Sequence, residues 1–143
     1  MRLRIKRLDP RVPLPAYAST DAAAFDLASA QDVDVPPGAI RLIGTGLIVE
    51  VPRGHFLAIF ARSSTPFKRG LVVANGVGVL DPDYCGPDDE LKIQVLNVTA
   101  APVRVSRGDR LGQGIVLPAP RVEWEEVDEM TGATRGGFGS TGQ

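Results

Sequence analysis

The sequence predicts an all-β fold, and three observations predict it. Strand-like runs recur with turn signals about every eight to twelve residues. No window of about a dozen residues keeps a helical period without meeting a Gly or a Pro. The 16 glycines and 12 prolines, 28 of 143 residues, are spread along the chain rather than gathered in one disordered tract. About ten short strands in this pattern point to a sandwich, a barrel or a jelly roll.

The elements follow in order. Leu3–Leu8 is short and alternating. Val33-Asp34-Val35 ends at Pro36-Pro37-Gly38, a strong stop. Ala39–Ile43 and Leu47–Val51 flank Gly44-Thr45-Gly46, and Pro52-Arg53-Gly54 turns the chain into His55–Phe60. That last run is apolar on both faces and is expected to be a central strand. Leu91–Val95 alternates, one face in and one out. Val103-Arg104-Val105 precedes the turn at Arg107-Gly108-Asp109, and Ile115–Leu117 and Val122–Trp124 complete the strands. After Val127 strand periodicity stops. Residues 128–143 carry five glycines (132, 136, 137, 139 and 142) and one aromatic, Phe138, so a β domain over 1–127 with a mobile tail over 128–143 is expected.

Composition removes several classes of function. Lys and Arg number 16 against 17 acids, a net charge of −1, so no general nucleic-acid or membrane surface is indicated. Cys85 is the single cysteine. It rules out an internal disulfide framework and a multi-cysteine metal site, and it fits a reducing interior. The basic start, Met1–Arg7, is followed by no long apolar segment, so neither a signal peptide nor a membrane span is expected. The expected location is the cytoplasm.

Five segments carry chemistry. In Asn75–Tyr84, an apolar run enters two glycines, and Asp81 follows Val79-Leu80 with Tyr84 three positions on. An acid flanked by apolar residues fits a carboxylate beside a closed pocket, able to fix a water molecule. The plainer reading is a turn with Pro82 setting the bend and Asp81 capping Tyr84. Arg62-Ser63-Ser64, after the central strand, suits phosphate oxygens, or else forms a helix cap or a surface ion pair. In Gly108–Gln113, Asp109 and Arg110 are expected to pair structurally. Gln113 lies between two glycines, which leaves room for a ligand beside its amide. Asp26 sits in the apolar setting Ala24-Phe25-Asp26-Leu27, where the plainer reading is a turn or a strand end. The tail Arg135–Gly142 exposes backbone N–H groups and hydroxyls able to wrap phosphates, and Phe138 is placed to stack on a flat base. No P-loop and no spaced His/Cys zinc ligands occur. His55, the one histidine, is expected to be a strand-edge or core residue.

Taken together and in this order, the segments resemble the trimeric dUTP pyrophosphatases (dUTPases). The resemblance implies a jelly-roll-like, distorted β-barrel subunit in a homotrimer with shared active sites. It implies hydrolysis of dUTP to dUMP and pyrophosphate with Mg²⁺. Asp81 matches the acid that activates the attacking water. Tyr84 matches the aromatic under the deoxyribose. Asn75 matches the amide that reads the uracil edge, beside the backbone of Gly78, Val79 and Leu80. Arg62, Ser63 and Gln113 match phosphate contacts, with Ser64 in the same segment. Asp26 matches an acid linked to magnesium through water, with no direct protein ligand expected. Phe138 matches the aromatic that covers the uracil, and Gly139, Ser140 and Thr141 match the phosphate wrap.

Three departures stand out. Ala24 stands where the family usually has Gly. Pro87-Asp88-Asp89 is inserted before Glu90, which implies a longer surface loop. In the tail, Arg135 directly precedes Gly136-Gly137-Phe138, and Ala133 falls on the usual arginine position. The rival enzyme of the same fold is a dCTP deaminase or a bifunctional enzyme. It would need a catalytic Glu and usually lacks such a tail. A nucleotide-sensing module that no longer hydrolyses is the rival from another class.

Overall fold

A computed structural model describes residues 1–137. It is all-β, with eleven strands among the described residues and one five-residue helical turn at Thr65–Arg69. The expected positions Phe138, Gly139, Ser140 and Thr141 lie outside the described residues.

The strands form four small sheets. β1 (Arg4–Arg7) pairs with β5 (Leu47–Glu50), and β3 (Val33–Val35) pairs with β10 (Val103–Val105), both antiparallel. A three-stranded sheet runs β4 (Ile40–Gly44), β9 (Lys92–Asn97), β7 (Leu71–Val73). The four-stranded sheet runs β2 (Phe25–Ala28), β11 (Arg110–Pro118), β6 (His55–Ala61), β8 (Gly78–Leu80). β6 is therefore a central strand, as its apolar run predicts.

One core joins all four sheets. Leu27, Leu57 and Leu111 from the four-stranded sheet meet Ile43, Leu71, Ile93 and Val95 from the three-stranded one, with Val35, Val105, Leu47 and Val49 from the pairs. In β9 every second residue is buried, the alternation its sequence shows. β1 does not bury alternate residues, because all four of its residues are exposed.

Two expectations on the strands are corrected. Val122–Trp124 forms no strand; β11 ends at Pro118 and residues 121–137 are all exposed, Trp124 at 93%. Those residues pair with no strand among the described residues, and unpaired extended backbone is not stable in water. β11 starts at Arg110 rather than at Ile115, because Gly112 and Gly114 continue the ladder instead of breaking it. β7 pairs with β9 and β8 with β6, so the turn between them carries the chain from one sheet to the other. Gly76 takes φ +72° in that turn, which favours glycine. No helix among the described residues is long and apolar enough to cross a membrane.

Candidate active site

The four-stranded sheet places the chemistry at the two ends of β6. Arg62-Ser63-Ser64 follows its last residue, Ala61. Alongside, Gln113 of β11 faces Phe60 on one side and Asp26 of β2 on the other. The Asp26 carboxylate is the centre of this cluster. Its Oδ1 lies 2.6 Å from Nε of Arg62, and its Oδ2 accepts a hydrogen bond from Nη1 of Arg110 at 2.9 Å. Asp26 and Arg62 keep only 19% and 24% of their side-chain surface exposed, so the pair is partly shielded from solvent and salt. Arg62 uses Nε for Asp26, which leaves the outer edge of its guanidinium for another anion.

Two readings of the Gly108–Gln113 segment change. Asp109 and Arg110 do not pair with each other, since Arg110 reaches Asp26 across the sheet and Asp109 takes Arg69. The Arg69–Asp109 contact is bidentate, at 2.6 and 2.7 Å. The hydrogen-bonded Arg69 guanidinium holds the Asp109 carboxyl below its usual range, and Asp109 in turn raises Arg69. The glycines beside Gln113 do not make room for a ligand. A Cβ on Gly114 would lie 2.6 Å from the Phe25 ring, and one on Gly112 would lie 3.1 Å from the Phe60 carbonyl oxygen. That space is already filled by the protein itself. The Gln113 amide instead donates to the Ala61 carbonyl at 3.2 Å, which fixes it beside the start of the Arg62 segment.

Ser63 is exposed and Ser64 half-buried. Ser64 stands at the start of the helical turn but makes no side-chain cap, so the cap reading fails and its hydroxyl is not committed there. Thr65 does the anchoring: it is buried and donates to the Leu111 carbonyl at 3.1 Å. Sequence reasoning missed Lys68 and Arg69, which follow on this turn. The local signal was a Lys-Arg pair close after Arg62. The neutralising partner of Arg69 lies 40 positions away and gives no local sign.

At the other end of β6, Leu80 pairs with Leu57, so Asp81 leaves the sheet beside Phe56. Asp81 is exposed, not held beside a closed pocket as its apolar neighbours suggest. The strand alternation explains this: Leu80 is buried while Val79 is 60% exposed, so only one of the two faces the core. Asp81 lines an open groove of about 1330 Å³ with His55, Arg53, Asp83 and the Pro118–Arg121 segment. His55 begins β6 at this rim, its Nδ1 3.3 Å from the Arg53 carbonyl oxygen, which agrees with a strand-edge residue. The turn reading of Asp81–Tyr84 holds in one respect. The Tyr84 N–H donates to the Asp81 carbonyl at 3.2 Å, so the backbone and not the carboxylate closes the turn. Tyr84 is exposed, its hydroxyl 3.4 Å from the Glu90 carbonyl, and Asn75 and Val79 are also exposed, whereas Gly78 is buried.

The inserted Pro87-Asp88-Asp89 lies at the surface with Pro87 and Asp88 exposed, and Asp89 closes a turn there by accepting the Gly86 N–H at 2.7 Å. Glu90 then reaches back to the Gly46 N–H at 2.8 Å.

Asp81 and Arg62 are far apart within one chain. Phe56, beside Asp81, and Arg62 are six positions apart on an extended run, roughly 20 Å at about 3.3 Å per residue. The groove holding Asp81 and the pocket holding Arg62 share no lining residue. Among the described residues, no three acidic, His or Cys side chains converge to hold a metal ion. Both Asp26 oxygens already bind guanidinium groups, yet each keeps a lone pair for a water molecule. Among the described residues this donor set offers a cation contact through water.

Comparison with known proteins fixes the family. A family model described as dUTPase matches residues 11–142. The chain belongs to the dUTPase family. It is 39% identical to the deoxyuridine 5'-triphosphate nucleotidohydrolase of Nautilia profundicola, over 100% of both chains. It is 41% identical to the enzyme of that name from Thermobifida fusca, over 99% of this chain and 79% of that one. The crystal structure of dUTPase from Streptococcus mutans superposes with a TM-score of 0.78 at 33% identity, covering 85% of this dUTPase-family chain and 98% of the other. The Staphylococcus bacteriophage 80alpha dUTPase with dUPNHPP shares the fold, at a TM-score of 0.88 and 23% identity over 99% of both chains.

Proposed function

We propose that this chain is a dUTP diphosphatase, converting dUTP and water to dUMP and pyrophosphate. This activity limits uracil incorporation into DNA and supplies dUMP. One observation carries the reading: the likeness to enzymes named for this nucleotide runs the full length of the chain at 39% identity.

In the proposed reaction, Asp81 accepts a proton from a water molecule as the water oxygen attacks the α-phosphorus. The bond from the α-phosphorus to its bridging oxygen breaks, and pyrophosphate leaves. Asn75 and the backbone of Gly78, Val79 and Leu80 read the base, and Tyr84 supports the sugar. Arg62, Ser63, Ser64 and Gln113 hold the phosphates, Arg62 oriented by its Nε contact to Asp26. When bound through water beside Asp26, magnesium supplies positive charge against the phosphate oxygens. Residues 138–141 and Arg135 cover the base and wrap the phosphates.

The active site is assembled between subunits of a homotrimer of jelly-roll-like chains. Two observations support this. Asp81 and the Arg62 cluster stand at opposite ends of one strand, so a single nucleotide does not reach both within one chain. Large apolar side chains also lie exposed on the isolated chain, among them Ile40, Leu42, Val98 and Trp124. Sedimentation or light scattering reads the subunit count.

The test of the activity is incubation with dUTP, dCTP and dTTP plus Mg²⁺, with pyrophosphate and ammonia followed separately. Pyrophosphate from dUTP alone is expected. Ammonia from dCTP points to a deaminase, and binding without product points to a sensor. Asp81→Asn is expected to keep nucleotide binding and lower turnover by about 10²- to 10⁴-fold. Undiminished turnover in that variant refutes the assignment of Asp81.

A further inference from the structure

Beside the Arg62 segment lies a second concavity, lined by Arg62, Ser64, Lys68, Arg69, Asp109 and Arg110 among others, with a volume of about 430 Å³. Four cations surround it. Three are already matched to carboxylates: Arg69 to Asp109, and Arg62 and Arg110 together to Asp26. Two carboxylates against four cations leave the cluster with a surplus of two positive charges. Lys68 contributes one of them outright, because it has no ion-pair partner among the described residues. The shared Asp26 leaves the other with the Arg62–Arg110 pair.

The turn that carries Lys68 is tied to the sheet. Thr65 ties the start of the helical turn to β11. At its end, Gly70 at φ +63° donates to the Pro66 carbonyl at 2.9 Å, and a Cβ there would meet Thr99. Lys68 thus lines the same concavity as Arg62 from a turn anchored to β11. The arginine that the resemblance places in the tail falls on Ala133, two positions before Arg135.

We propose that Lys68 and Arg110 belong to the substrate site, completing with Arg62 and Ser64 a cationic pocket for the diphosphate end of the nucleotide. This rests on the proposed function and extends it. Arg110 acts through Asp26 as a positioning residue for Arg62. Lys68 contacts the leaving diphosphate directly, as a point charge on a flexible stem.

Titration calorimetry of the full chain with inorganic pyrophosphate and, separately, with dUMP tests the proposal. Lys68→Met is expected to weaken pyrophosphate binding about tenfold, the order of one charge-assisted hydrogen bond, and to leave dUMP affinity unchanged. Its KM for dUTP rises while kcat changes little, and Lys68→Arg restores most of the affinity. Arg110→Gln is expected to weaken pyrophosphate as well and to lower kcat, as Arg62 loses its orientation. Lys68 is exposed, so its substitution is expected to leave thermal unfolding unchanged. Unchanged pyrophosphate affinity in Lys68→Met, or an equal loss for dUMP, overturns the inference. If the unmodified protein binds pyrophosphate in a Lys68-dependent manner but does not hydrolyse dUTP, the pocket stands and the proposed function falls.

Discussion

Replacing Gly114 by Ala tests whether the glycines around Gln113 serve packing or ligand access. Gly114 of β11 faces Phe25 of β2 in register. A methyl group there would lie 2.6 Å from Phe25 Cε2, 2.8 Å from Cζ and 3.0 Å from Leu57 Cδ1. Carbon atoms in ordinary contact stand about 3.5–4.0 Å apart, so the ring has to retreat by about 1 Å. Leu57 is fully buried and blocks an inward move, while Tyr17 stands edge-on to the ring at 5.8 Å between centroids. The remaining routes are a tilt of Phe25 against Tyr17 or a shift of β2 off β11, at a cost of about 1–3 kcal/mol for such overpacking. Because β2 carries Asp26, the shift also disturbs the Arg62–Asp26–Arg110 chain of contacts. Urea unfolding at fixed protein concentration measures the cost. Combining Gly114→Ala with Phe25→Leu makes room for the methyl group, so the double variant is expected to lose less than the sum of the singles by about 1 kcal/mol. A Gly114→Ala protein within about 0.3 kcal/mol of the parent, or strictly additive losses, refutes the packing account.

Asp109→Asn removes the charge that holds Arg69, and a loss of about 1–2 kcal/mol is expected at neutral pH, reduced by the partial exposure of the pair. The Asp109 carboxyl titrates below its ordinary value in the folded state, so its stabilising contribution is complete above about pH 4 and is lost as pH falls through the folded-state value. The difference between parent and variant in thermal unfolding therefore shrinks below about pH 4, and a pH-independent difference rejects the ion-pair account. Removing residues 131–143 is expected to leave the β core folded by circular dichroism and to lower kcat/KM by about 100-fold or more; unaltered kinetics dismiss a role for the tail in turnover.

The sequence by itself determined the all-β class, most of the strands and the family. Alternation along β9, an apolar run in β6 and stops at Gly and Pro are local signals, set by side-chain period and backbone freedom. It also placed Arg62-Ser63-Ser64 directly after the central strand. What it misjudged was each relation across the sheets. Gln113 with flanking glycines reads as ligand space, yet the Phe25 ring from 89 positions earlier fills it. Asp109-Arg110 reads as a neighbouring pair, yet Arg69 and Asp26 supply the partners from 40 and 84 positions away. Lys68 lies in none of the segments singled out in the sequence, yet the fold sets it on the same concavity as Arg62. Only tertiary structure decided these, because register between distant strands chooses which charges meet and which space stays open. The same register put Asp81 and Arg62 at opposite ends of β6, a separation that adjacency in the list of motifs conceals.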